Sequence, residues 1–162
     1  MKALLGLFLD ISLFRKGPQD VPQSFVLFGL AFLVDVAIST VVGALDGDII
    51  GAILQALVAS ALLLAFVALL LLLTSHRERF QRTATAVLGC DALITLAALP
   101  VSLLSDLVDG LGLLIMGILL WNLVVFAHIL KQSLGVGYSL SLALALLFTF
   151  TSLDLMARIF SA

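Results

Sequence analysis

The chain has 162 residues, 63% of them hydrophobic and 11% charged, where an ordinary soluble domain has about 25% charged. That much apolar surface cannot be hidden in a water-soluble fold of this length, so the solvent is lipid and the expected fold is all-α, a polytopic membrane protein. A net charge of −2 without a basic block excludes nucleic acid as a partner, and the lone Cys90 excludes an internal disulfide or a multi-cysteine metal site.

The chain begins with "MKALLGLFLDISLF", a Lys followed by an apolar run. Asp10 interrupts the run and no A-x-A site follows, so it does not read as a signal peptide. It is too short to span, and a helix lying at the membrane interface is expected. "RKGPQDVP" ends it, because Pro18 and Pro22 break a helix. Residues 1–23 are thus read as an interfacial helix plus linker.

Residues 24–162 are read as one transmembrane domain of five helices, 24–42, 49–73, 84–104, 111–130 and 138–156. Each approaches or exceeds the length of about 20 apolar residues that crosses the hydrocarbon core. Ser24, Asp48 and Asp109 stand where the first, second and fourth spans need N-caps. The connectors are short, so neighbouring spans are expected to be antiparallel and adjacent.

With the N-terminus inside, Lys2, Arg15, Lys16, Arg77, Arg79, Arg82 and Lys131 fall on the inner side, and Arg158 alone on the outer. The positive-inside rule then places the C-terminus outside. The compact loops favour a bacterial cytoplasmic (inner) membrane.

Two acids, Asp35 and Asp91, lie inside apolar spans. A charge near the bilayer centre costs at least about 2.5 kcal/mol, so both are expected to face the bundle interior. At 1.5 Å per residue, Asp35 lies about 16 Å, Asp91 about 11 Å and Asn122 about 12 Å from the inner boundary, so the three can meet as a buried polar cluster. Small and polar residues fall on single helix faces: Ala31, Asp35 and Ser39; Ala52, Ala56 and Ser60; Ala84, Asp91, Thr95, Ala98 and Ser102; Ser141, Ala145, Thr149 and Ser152. Such faces let helices approach closely in lipid. The cluster has two readings, a structural hydrogen-bonded one and a proton or cation path.

His128, three residues before Lys131, is read as interfacial or pH-sensing. The outer acids Asp46, Asp48, Asp106 and Asp109 are hard oxygen ligands, but they lack calcium-loop spacing and read first as caps and acidic flanks. Asp154 and Arg158, four apart, are expected to pair.

No HExxH, GxSxG, Walker or GxGxxG pattern is present, and "GLGLLIMG" belongs to a hydrophobic helix. No catalytic residue, cofactor site or metal site is assigned, and the protein is expected not to be an enzyme.

The stretch "GPQDVPQSFVLF" leading into the first span and "WNLVVFAHILKQSLG" closing the fourth, with five spans and tiny loops, resemble the Yip1-like family of small membrane proteins. Of the D-L-Y-G-P-type segment of the longer members, Gly17-Pro18 is present, and no functional residue is carried over. The resemblance implies a non-enzymatic protein that works through partners in trafficking or membrane organisation. The expected function is an accessory or scaffold protein contacting lipids, other membrane proteins or a second copy of itself. The alternative is a small transporter, a proton- or cation-coupled carrier using Asp35 and Asp91.

Overall fold

The computed structural model describes residues 2–104 and 110–160, with the backbone alone for residues 2, 3 and 46. All regular structure among the described residues is helical: α1 (Lys2–Ser12), α2 (Phe25–Gly43), α3 (Ile49–Leu73), α4 (Phe80–Leu104), α5 (Leu111–Leu134) and α6 (Tyr138–Phe160). Helices α2 to α6 are long and apolar enough to cross a membrane. Three of them outrun the expected spans: α4 starts at Phe80, α5 ends at Leu134 and α6 at Phe160. The added turns hold polar residues such as Gln81, Arg82, Gln132 and Arg158. Hydropathy marks only the part in hydrocarbon, whereas the helical backbone continues into the headgroup layer.

The helix ends follow from local chemistry. Leu27 N donates to Ser24 Oγ at 3.3 Å, and Gly51 N donates to Asp48 Oδ1 at 3.0 Å. At α5 the N-cap is Gly110, with φ +96°, where Asp109 was expected. Asp109 itself lies outside the described residues. Phe14 and Ser75 are left-handed at φ 60° and 59°, just past α1 and α3. A left-handed Phe is strained. Its ring is held 5.3 Å from Trp121 and 5.0 Å from His128 on α5.

Helix α4 is the hub and touches α1, α2, α3 and α5, while α6 leans on α5 and α3. Every residue from Thr83 to Cys90 is buried. Ala84, Ala86 and Gly89 give the small surface that lets so many helices close on one. Helix α1 crosses α4 at Gly89, where an added Cβ would stand 2.5 Å from the buried Phe8 ring. On one side Leu4 and Leu5 line an apolar groove together with Leu30 and Val34 of α2, and on the other Phe14 reaches α5. The short N-terminal helix is therefore packed into the bundle. Cys90 is buried with Sγ 3.6 Å from Phe8 O, an inert packing position.

Six basic residues, Arg15, Lys16, Arg77, Arg79, Arg82 and Lys131, gather where α3 and α5 end and α4 and α6 begin. This is the basic end. His76 there is half-buried, with Nδ1 lacking a partner among the described residues. At the far end Arg158 Nε donates to the exposed Asp154 carboxylate at 2.8 Å, the expected pair.

Candidate functional site

The five spanning helices each place a polar side chain at their middle. Asp35 is the eleventh of 19 residues in α2, Ser60 the twelfth of 25 in α3 and Asp91 the twelfth of 25 in α4. Asn122 is the twelfth of 24 in α5 and Thr149 the twelfth of 23 in α6. Antiparallel helices of similar length bring their midpoints to one level. All five residues line a single cavity of about 310 Å³.

The polar contacts form a chain. Ser60 Oγ donates to Asp35 Oδ2 at 2.8 Å. Asp35 of α2 and Asp91 of α4 line the same cavity, close enough for each carboxyl to feel the charge of the other. Asn122 Nδ2 donates to Asp91 Oδ1. Asp35 is buried and Asp91 half-buried at the cavity, and Asp35 Oδ1 is buried without a hydrogen-bond donor among the described residues. No Lys or Arg lines the cavity.

The two ends of the cavity differ. Ser39, four residues beyond Asp35, and Ser152, three beyond Thr149, carry hydroxyls towards the far end. Towards the basic end the wall is apolar, with Val87, Phe126 and Phe148. Phe126 and Phe148 complete a triangle with Phe66, the ring centroids being 5.0, 5.4 and 6.3 Å apart. The middle layer thus has hydroxyl oxygens on one side and tilted or edge-on aromatic rings on the other.

The expected cluster of Asp35, Asp91 and Asn122 is brought together. Ser60, Ser39, Thr149 and Ser152, on the small-residue faces expected to pack between helices, join the cluster at the cavity. Their hydroxyls were the available signal, since each shares a face with an expected interior position. His128 is not part of the cluster. Its Nε2 lies 2.8 Å from Gln132 Nε2 and 3.4 Å from Lys16 O near the basic end. Of the four outer acids, Asp48 is taken up as a cap; Asp106, Asp109 and the Asp46 side chain lie outside the described residues. Among the described residues no group of three His, Cys, Asp or Glu is gathered.

No family model, no curated protein and no solved structure matches the chain.

Proposed function

We propose that this membrane protein is a small carrier that binds a proton or a monovalent cation between Asp35 and Asp91. The observation that carries the reading is two carboxyl groups from different helices facing each other at the middle of the bundle. Holding one acid there already costs at least about 2.5 kcal/mol, and a second beside it adds like-charge repulsion. A bound proton or cation removes that repulsion and gives Asp35 Oδ1 the partner it lacks. Ser60 and Asn122 orient the two carboxyls, and the Ser39, Thr149 and Ser152 hydroxyls supply further oxygen. A site at mid-depth between helices is where carriers alternate access. The Phe66, Phe126 and Phe148 triangle is the barrier on the basic side, and it must part for the ion to pass. In this reading the basic end faces the cytoplasm, from the excess of Lys and Arg there.

A scaffold would pack through small-residue faces against another membrane protein or a second copy. Ala31, Ala52, Ala56, Ser60, Ala84, Ser141 and Ala145 are all buried within the chain itself, which favours the carrier.

The test is ion flux in proteoliposomes made with the purified protein, with a trapped pH-sensitive dye reading proton gradients and uptake of radiolabelled Na⁺ or Rb⁺ reading Na⁺ and K⁺ pathways. Wild type is expected to dissipate at least one gradient faster than empty liposomes. No flux of any of the three ions would return the acids to a structural role and the protein to the scaffold reading.

A further inference from the structure

The basic end holds a second cavity, of about 450 Å³, lined by Pro18, Gln19, Arg79, Arg82, Thr83, Gln132 and Ser133. We propose that it binds a phosphate oxyanion, as a lipid headgroup or as free phosphate.

Arg79 and Arg82 both line this space, and among the described residues no Asp or Glu does. The ion pairs of the described residues are Lys16 with Asp10 and Arg158 with Asp154, so neither Arg79 nor Arg82 has one. Arg82 Nε is buried without a hydrogen-bond partner among the described residues. A buried guanidinium donor without an acceptor is costly, and a phosphate oxygen is the acceptor its planar fork fits best.

The walls are fixed. Arg79 Nη1 donates to the Ser133 carbonyl at 3.1 Å, which anchors the side chain and leaves its other donors free. Thr83 Oγ1 donates to Ser133 Oγ at 2.9 Å, so the Ser133 hydroxyl keeps its own proton to give. The opposite wall is the Gly17–Pro18 turn, pinned by Gly17 N donating to Asp20 Oδ2 at 3.0 Å. That bond also engages the acid of the turn. A Cβ at Gly17 would collide with the Gln132 amide, so glycine is what lets this wall close on α5. Gln132 is tethered to His128 and its Oε1 is buried without a partner.

The cavity lies at the first turn of α4 and the last turn of α5, the level at which a spanning helix meets headgroup phosphates. Topology alone needs only positive charge at this end. Arg77 meets that need from outside the cavity, whereas Arg79 and Arg82 face into it.

The experiment is native mass spectrometry, with a thermal-shift titration alongside, on the full chain in a phosphate-free maltoside detergent. The probes are inorganic phosphate against chloride at matched ionic strength, and dioctanoyl phosphatidic acid against dioctanoyl glycerol. Wild type is expected to bind at least one phosphate-bearing probe saturably. Binding of phosphatidic acid alone identifies a lipid headgroup site; binding of inorganic phosphate identifies a site for the free ion. Arg82→Lys keeps the charge that holds the topology but loses the fork, and is expected to weaken binding about tenfold, one charge-assisted hydrogen bond. Arg77→Lys is expected to bind as wild type does. Failure of wild type to bind either phosphate probe would overturn the proposal. So would equal binding of phosphatidic acid and dioctanoyl glycerol, or equal weakening by Arg77→Lys and Arg82→Lys.

Discussion

The middle-layer cavity and the basic-end cavity are mirror images in charge. Among the described residues, the first holds Asp35 and Asp91 with no Lys or Arg in its lining, and the second holds Arg79 and Arg82 with no Asp or Glu. Along α4, Thr83 and Asp91 are eight residues apart, about 12 Å. Val87 and Phe126 fill the space between as buried apolar side chains. Had the two sets of charge met, they would have neutralised one another as an internal ion-pair network. Their separation by an apolar floor leaves each cavity lined by charge of one sign among the described residues.

The floor is where the contrast is easiest to break. Phe126→Ala removes a buried ring from both the triangle and the partition. It is expected to cost about 3 kcal/mol of stability, in the range for aromatic truncation, and to raise the passive leak of reconstituted vesicles. A thermal melt and a dye-leak assay read the two effects. Unchanged leak would show that the rings are not the barrier.

A smaller change sharpens the polar side of the comparison. Asp91→Leu leaves the Asn122 amide and Asp35 without their shared partner. It is expected to destabilise by about 2 kcal/mol, the cost of an unsatisfied buried polar group. Asp91→Asn keeps the size and hydrogen-bonding capacity of the acid, and should melt close to wild type. Equal melting of the two variants would mean that Asp91 makes no contact worth keeping.

The smallest effect lies outside both cavities. Gly89→Ala pushes on the Phe8 ring where α1 crosses α4. Overpacking there is expected to cost about 1 kcal/mol, and to expose α1 to limited proteolysis, with both cavities intact. Loss of flux in this variant would show that α1 is coupled to the site.

The spans, their order and the meeting of Asp35, Asp91 and Asn122 were legible in the sequence, because helix rise converts position into depth. Ser60 was legible only as a small residue on a packing face. Whether a hydroxyl at such a position bonds a neighbouring acid depends on the rotation of two helices, which periodicity does not set. The Phe66, Phe126 and Phe148 triangle was not visible, since 11 phenylalanines are scattered through the apolar runs and nothing local distinguishes these three. In sequence, Arg79 and Arg82 are legible only as part of the inner-side positive charge that sets orientation. Their cavity needs Pro18, Gln132 and Ser133 from segments remote in the chain, so no window of sequence contains it. The shift of the α5 cap from Asp109 to Gly110 is a one-residue difference, of the kind helix ends commonly show.

The central claim is that Asp35 and Asp91 form one ion-binding site. The most direct measurement is flux in proteoliposomes for wild type, Asp35→Asn and Asp91→Asn at equal protein incorporation and with matched thermal melts. An amide cannot exchange a proton and carries no charge to hold a cation, so each substitution alone is predicted to bring wild-type flux down to the level of empty liposomes. Wild-type flux that survives both substitutions would contradict the account.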